Sequence, residues 1–206
     1  ECLVRVAGVE GREALAMVLV DLRLPGVTIK PITQMTGGSD FCEIFLDEVE
    51  IDRSALICEV GQGWPIAVDT LLNERRTIGS ELIPADAIVA MLRRKAEETD
   101  DKQRRLAAVQ AMMSTQIAAR LAADLEHRDP TMLPLAKLGA TRALTDVANA
   151  LTVLDGVSLI AGDYGLDAGS EFVCGVHGFR IGGGSDEVLR SLVGERVLGI
   201  LRDRVV

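Results

Sequence analysis

Residues 104–125 read RRLAAVQAMMSTQIAARLAADL, and large apolar side chains recur in this stretch at steps of three or four. The recurring positions are Leu106, Val109, Met113, Ile117, Leu121 and Leu125, whereas Arg104, Arg120, Asp124 and Arg128 lie off the stripe. This spacing lines one face of a helix of about 3.6 residues per turn. We therefore expect an amphipathic helix that buries these large residues and ends before Asp129-Pro130.

Three other stretches have the same helical spacing. The first begins near Gln62 and contains Leu71, Leu72, Ile78, Leu82 and Ile83. The second begins near Met132 and contains Leu135, Leu138, Leu144, Val147, Leu151 and Leu154. The third runs from Ser185 to Arg202, with Leu189, Leu192, Val193, Val197 and Ile200 on its buried side. Helices of this length with few aromatic residues bury their stripes best against one another. The pattern therefore predicts a helical bundle of the up-and-down kind.

The first fifty residues instead alternate strand-like runs with turn signals. The runs are residues 3–6, 17–20, 27–30 and 41–46, and glycine, proline or aspartate stands between them. Four strands alone leave open sheet edges, so we expect further strands outside this chain to complete the sheet. The predicted fold class is α+β, a partial antiparallel β domain followed by a helical bundle.

Composition and charge argue against several classes of function. The chain has 22 Lys and Arg against 31 Asp and Glu, a formal charge of -9, so nucleic acid and anionic membranes are not expected partners. No apolar run approaches the roughly 20 residues of a membrane span, and the first residues do not resemble a secretory signal. The cysteines and histidines lack metal-ligand spacing, so we expect no metal site and a cytoplasmic protein with reduced thiols.

Three stretches of the sequence are informative about more than the fold class. They are residues 24–49, with LPGVTIKPI and GSDFCEIFLDEV; residues 61–75, with GQGW and LLNER; and residues 183–200, with GGSDEVLR and ERVLGI. In this order and at these intervals they resemble the acyl-CoA dehydrogenase family, whose members carry PGV-x-x-x-PI, F-x-E-V-F-x-D-x-V, G-x-GW, L-x-x-ER, GG[TS]-x-E-I-x-R and ER-x-LG. The resemblance covers essentially the whole chain, which corresponds to the second half of a family member.

The resemblance implies a domain organisation. Residues 1–53 would be the C-terminal part of the middle β domain, and residues 54–206 the C-terminal helical bundle domain. The amino-terminal helical domain and the segments that hold the flavin ring would lie outside this chain, so we expect the chain alone to bind FAD poorly and to be inactive. Family members pack through the helical domain, which implies a homo- or hetero-oligomer.

The implied activity is α,β-dehydrogenation of an acyl-CoA thioester, in fatty acid or steroid side-chain β-oxidation. A carboxylate removes the α-proton, the β-hydrogen leaves as hydride to FAD, and an electron-transfer flavoprotein or a similar acceptor reoxidises the flavin. Many members carry the base immediately before the Gly-Thr of the C-terminal motif, where this chain has Gly183. Members that resemble the isovaleryl and long-chain enzymes carry it in L-x-x-ER instead, which points to Glu74, with Arg75 as a substrate-binding residue of the same wall.

The glycine-rich turn at residues 182–184 is the candidate cofactor-binding segment. A turn that leads into a helix offers backbone N–H groups to an anion or a polar cofactor edge. The resemblance places this motif near the FAD adenosine, which assigns Gly184, Ser185 and Glu187. A plain helix N-cap at Ser185 needs no ligand, and a solvated Glu74 beside an arginine needs no catalytic role, so both interpretations stay open.

Two segments depart from the family pattern. Members carry R-x-x-F-G and Q-x-x-GG-x-G segments that reach a neighbouring subunit's FAD, whereas this chain has QRRLA at 103–107 and TVLDGVS at 152–158. Such divergence resembles members that act on steroid or other bulky CoA thioesters, some of them mixed tetramers of two unlike subunits. The alternatives are a non-catalytic or half-site supporting subunit of a heteromeric acyl-CoA dehydrogenase, a flavin-dependent monooxygenase of the same fold, or an acyl-CoA oxidase.

Overall fold

A computed structural model describes residues 1–76, 84–126, 132–159 and 168–200 of the 206-residue chain. The chain divides into two compact units, Glu1–Leu71 and Leu72–Val206. All strands of the described residues lie in the first unit and precede the long helices, so the predicted α+β class is confirmed. The predicted domain boundary between residues 53 and 54 stays a prediction.

Two antiparallel hairpins form the β part. They pair β1 (Cys2–Arg5) with β2 (Leu15–Val18) and β3 (Val27–Ile32) with β4 (Phe41–Leu46). Each of the four predicted runs corresponds to one of these strands. The chain then returns along β2, where the Leu19 N–H donates to the Ala55 carbonyl at 2.8 Å. Val18 also forms an isolated antiparallel bridge with Leu56, which joins the segment before α1 to this hairpin.

Two motif glycines are required by close packing in this unit. Gly26 has φ +87°, and a Cβ atom there would lie 2.2 Å from the Asp47 carbonyl oxygen across the β3–β4 hairpin. At Gly63 a Cβ would lie 2.8 Å from the backbone of Ala16 in β2. Only glycine allows such approaches. The PGV and G-x-GW motifs therefore have structural reasons of their own.

Six α-helices lie in the described residues. They are α1 (Gly63–Arg76), α2 (Ala85–Glu97), α3 (Lys102–Glu126), α4 (Leu133–Asp155), α5 (Ala168–Phe179) and α6 (Asp186–Arg196). The sequence pattern predicted four helices and missed α2 and α5. Glycine has low helix propensity, and α5 contains Gly169, Gly175 and Gly178, whereas α2 buries only the short stripe of Val89 and Leu92. Ile78, Leu82 and Ile83 of the predicted first helix lie outside the described residues.

The predicted buried face of α3 is wrong for the first four positions of the stripe, whereas Leu121 is half-buried and Leu125 is buried, as expected. Exposed fractions are 50% for Leu106, 43% for Val109, 59% for Met113 and 63% for Ile117. The buried face consists mostly of small residues: Ala108, Ala111, Thr115, Ala118, Ala122 and Leu125. Small side chains let α3 approach α4 closely, and a Cβ added at Gly139 of α4 would lie 3.2 Å from Leu121. Close backbone approach therefore decides which of the two stripes faces inward.

Helix α4 is the centre of the bundle, because it packs against α3, α5 and α6. Its predicted stripe is buried at Leu144, Val147, Leu151 and Leu154, and Leu135 and Leu138 are half-buried. Leu92 of α2 and two alanines of α3 join this stripe in the main apolar cluster. None of the helices in the described part of the chain has the length and apolar character that crossing a bilayer requires.

Helix α6 ends earlier than predicted. Its buried side includes Leu189, as expected, but the helix stops at Arg196 and Ile200 is 60% exposed. Gly199 has φ +66°, and the Ile200 N–H donates to the Gly194 carbonyl at 2.9 Å. A glycine in the left-handed region just after a helix is a common C-terminal stop. The apolar residues that follow Arg196 therefore do not extend the helical stripe.

Candidate active site

The two sequence positions that the family uses for its base lie side by side. Glu74 stands in the last turn of α1, and its Oε1 atom accepts a hydrogen bond from the Gly183 N–H at 2.9 Å. Gly183 itself is buried, whereas Glu74 is exposed. The structure thus brings together the L-x-x-ER glutamate and the residue that opens the Gly-Gly-Ser motif.

Backbone conformation explains why position 183 suits glycine. Gly183 has φ +67° and Gly184 has φ +98°, both in the left-handed region. An ordinary side chain in that region costs about 1–2 kcal/mol. A carboxylate on residue 183 would therefore strain this turn, whereas the turn's N–H reaches a carboxylate carried by α1.

A buried charge network holds the same turn. Lys137 of α4 is completely buried, and its Nζ atom donates to the Gly184 carbonyl at 3.1 Å and to Asp186 Oδ1 at 3.2 Å. The Thr141 hydroxyl also donates to Asp186 Oδ1, at 3.1 Å, and Arg180 Nε donates to Oδ2 at 3.0 Å. Asp186 is 4% exposed. Two cations and a hydroxyl, two of these groups from α4 and one from the turn after α5, therefore converge on one carboxylate beside the turn.

The pKa of Asp186 lies below its ordinary value. Burial taken alone raises this pKa, but hydrogen bonds from Arg180, Lys137 and Thr141 outweigh burial, and the Lys137 charge lowers the pKa further. Asp186 is thus an anion at neutral pH and forms a true ion pair with the buried ammonium. Neither residue was singled out from the sequence, although a lysine inside the apolar stripe of α4 is a signal for a buried partner.

The predicted cofactor residues surround the start of α6. Ser185 is the N-cap, and its Oγ atom accepts from the Val188 N–H at 3.4 Å. Glu187 is exposed, and its pKa is lowered by a hydrogen bond from its own backbone, by one from the Ser185 hydroxyl and by nearby arginines. The exposed carboxylate of Glu187 can accept hydrogen bonds from N–H and O–H donors such as those of an adenosine group, and the assignment of Gly184, Ser185 and Glu187 to FAD stays a prediction.

Arg75 and the two divergent segments are the other positions that the sequence singled out. The side chain of Arg75 lies outside what the structure describes. The divergent segment 103–107 forms the start of α3, where Asp101 Oδ1 accepts from the Gln103 N–H at 2.7 Å. The segment 152–158 covers the end of α4, where Asp155 pairs with Lys95 of α2 at 2.6 Å. Within the described residues both segments therefore serve as helix ends.

Known proteins with a sequence similar to this chain are acyl-CoA dehydrogenases. A family model described as "Acyl-CoA dehydrogenase, C-terminal domain" matches residues 61–198. The chain is 30% identical to acyl-CoA dehydrogenase IpdE1 of Mycolicibacterium smegmatis over 95% of this chain and 52% of that protein. It is 28% identical to acyl-CoA dehydrogenase FadE34 of Mycobacterium tuberculosis over 89% of this chain and 26% of that protein. The chain thus spans about half the length, or less, of these curated relatives.

Solved structures show the same fold. The Tcur3481-Tcur3483 steroid ACAD superimposes with a TM-score of 0.86 at 18% identity, over 98% of this chain and 56% of that chain. The glutaryl-coenzyme A dehydrogenase in its glutaryl-CoA complex superimposes with a TM-score of 0.81 at 17% identity, over 93% and 52%. At these identities the likeness concerns the fold. The family match over residues 61–198 shows that the chain belongs to the acyl-CoA dehydrogenase family.

Proposed function

We propose that the protein containing this chain is an FAD-dependent acyl-CoA dehydrogenase in which Glu74 removes the α-proton of the thioester. The hydrogen bond from the Gly183 N–H to Glu74 Oε1, at 2.9 Å, carries this proposal. This hydrogen bond gives the carboxylate a defined position, which a general base requires. Gly183 has no side chain, so the carboxylate at this point of the fold comes from α1.

Each partner in the cluster has a separate task in this proposal. Glu74 accepts the proton, and the Gly183 amide keeps the carboxylate at one place on the surface of the chain. Because Glu74 is exposed here, bound acyl-CoA or the rest of the protein supplies the desolvation that a general base needs. FAD, when bound, supplies the hydride acceptor. Arg75 contributes to substrate binding, and an electron-transfer flavoprotein or similar acceptor takes the electrons away.

The substrate class that we propose to test first is a bulky CoA thioester. Two features support it: the divergence of residues 103–107 and 152–158, and the steroid ACAD among the proteins with this fold. Oligomer formation is part of the same proposal. The exposed stripe of α3, made of Leu106, Val109, Met113 and Ile117, supports an interface through the helical domain.

A supporting subunit of a heteromeric enzyme is the second candidate function. It is favoured by the same two divergent segments, which form helix ends without the family's flavin-contacting residues. In that case a partner subunit supplies the base and most of the flavin contacts. Glu74 would then be a surface residue that fixes the glycine turn.

One experiment distinguishes the dehydrogenase with Glu74 as its base from the supporting subunit. The complete gene product that carries this chain is purified with any co-expressed subunit, and bleaching of the flavin spectrum is followed after adding straight-chain, branched and steroid CoA thioesters. General-base removal typically lowers a rate by about 100- to 10,000-fold, so Glu74→Gln should bleach at least about 100-fold more slowly with FAD still bound. Glu97→Gln, at an exposed position on α2, is the matched control and should bleach as wild type.

The opposite results are equally informative. Equal bleaching by wild type and Glu74→Gln would move the base to another residue or to the partner subunit. A preparation that holds no flavin at all would contradict the dehydrogenase and favour the supporting subunit.

A further inference from the structure

We propose that Lys137 is a positioning residue for Glu74. Its buried ammonium ties the Gly184 carbonyl to Asp186 and thereby fixes the direction of the Gly183 N–H that holds the Glu74 carboxylate. The inference rests on the proposed function, because the catalytic consequence requires Glu74 to act as the base.

Burial of Lys137 demands a reason. Its side chain is 0% exposed, and the opposing Asp186 side chain is 6% exposed, so the pair has lost nearly all contact with water. Removing two charges from water is costly, and an apolar pair of similar size is often at least as stable. A gain in stability is therefore a weak explanation for this pair, whereas a fixed geometry is one that an apolar pair does not provide.

The turn beside Lys137 is held by backbone hydrogen bonds and by side chains: the Gly182 N–H donates to the Gly178 carbonyl and the Asp186 N–H to the Arg180 carbonyl, both at 3.0 Å. Residues 182–184 are three consecutive glycines, the residue type with the greatest backbone freedom. Two side chains from other helices also contact the turn: Lys137 Nζ donates to the Gly184 carbonyl at 3.1 Å, and Glu74 Oε1 accepts from the Gly183 N–H at 2.9 Å. Without the lysine, the Gly184 carbonyl loses its buried donor, and the glycine backbone between this carbonyl and the Gly183 N–H loses its contact with α4.

Asp186 has cationic neighbours other than Lys137. Asp186 Oδ2 accepts from Arg180 at 3.0 Å, and Arg190 on the next turn of α6 lies 4.0 Å from the same atom. Loss of Lys137 therefore leaves Asp186 with two cations. Asp186 then still has ion-pair partners in Arg180 and Arg190, whereas the Gly184 carbonyl loses the hydrogen bond from Lys137.

The test compares Lys137→Met with Lys95→Met in the complete, flavin-loaded gene product. Both variants remove a lysine from an ion pair, but the Lys95–Asp155 pair lies at the other end of α4. A misplacement of about 1 Å at a catalytic group lowers rates by about 100-fold, so Lys137→Met should slow bleaching at saturating acyl-CoA by about that factor. The dissociation constant for acyl-CoA should stay unchanged, and Lys95→Met should match wild type in both quantities.

Amide hydrogen exchange gives a readout that does not depend on activity. Peptides that cover residues 181–185 should exchange faster in Lys137→Met than in wild type or Lys95→Met. Glu74→Ala removes the acceptor of the Gly183 N–H. In that background, Lys137→Met should not increase the exchange rate of the Gly183 amide any further. If Lys137→Met does not fold, Lys137→Gln, which keeps a neutral donor, is the second variant and should show the same pattern in weaker form.

Two kinds of failure are distinguishable. If none of the thioesters bleaches the flavin of the wild-type protein, the proposed function is contradicted. Amide exchange at residues 181–185 then decides alone whether Lys137 holds the turn. A wild type that bleaches, with Lys137→Met equal to it in rate and in exchange, overturns the positioning role while leaving Glu74 as the base.

Discussion

The two ends of α4 perform different tasks with the same helical backbone. Near its start, Lys137 and Thr141 meet Asp186 in a buried polar cluster. Further along, Val147 and Leu151 pack into an apolar cluster with α2 and α3. Apolar burial stabilises the fold without specifying one arrangement closely, whereas a buried ion pair is satisfied only by particular atoms at particular distances. The first part of α4 therefore contacts the turn of the candidate site, whereas its second half packs into the apolar core.

The largest effect on stability is expected at the polar end. Asp186→Asn leaves the Lys137 ammonium buried without its counter-charge, and breaking a buried pair in this way costs about 3–5 kcal/mol. The free energy of unfolding, measured by denaturant titration of the complete protein at neutral pH, checks this. A loss below about 1 kcal/mol, typical of an exposed pair, would contradict the burial of this cluster.

The same carboxylate predicts a pH dependence. Because the pKa of Asp186 is lowered in the folded chain, its contribution to stability is present above the unfolded value of about 3.9 and is lost as the pH falls through the folded value. Wild type should therefore lose stability in this acid range more steeply than Asp186→Asn. Parallel stability curves for the two proteins would show that Asp186 keeps an ordinary pKa.

The apolar end should respond in stability alone. Leu92 is completely buried in the cluster with Val147 and Leu151, so Leu92→Ala should cost about 2–5 kcal/mol. The rate of flavin bleaching per bound flavin should stay at the wild-type value below the unfolding transition. A parallel fall in both quantities would show that the two ends of α4 are not separable.

The smallest effect on the fold is expected on the outward face of α3. Ile117 is 63% exposed, so Ile117→Gln should change the free energy of unfolding of the chain by less than about 0.5 kcal/mol. If the exposed stripe forms an oligomer interface, the variant should dissociate at higher protein concentration than wild type in sedimentation experiments. A loss of several kcal/mol without dissociation would mean that Ile117 is a core residue, as the sequence pattern first predicted.

Much of the fold was predictable from local patterns. Strand runs, the centre of α3 and the whole apolar stripe of α4 follow from alternation and helical spacing, because those signals depend on near neighbours in the chain. The orientation of α3 was not predictable, since the helix carries a stripe of large apolar residues and a stripe of alanines at the same period. Only the presence of α4 at close range selects the alanines for the inside.

The candidate site shows the same division. The family motifs pointed to Glu74 and to the turn at residues 182–184, but no pattern paired Lys137 with Asp186, which lies 49 positions further along. A single lysine in an apolar stripe signals an unidentified partner. Which partner it meets depends on where α6 packs against α4.

The sequence by itself determined the α+β class, the family, and the absence of a side chain at Gly183 that pointed to Glu74. Only the tertiary structure decided that the Glu74 carboxylate meets the Gly183 amide across 109 positions, and that a buried Lys137 holds the adjoining peptide. The physical reason is range. Helical and strand periods encode contacts between near neighbours, whereas a hydrogen bond between distant residues exists only after the helices that carry them have packed.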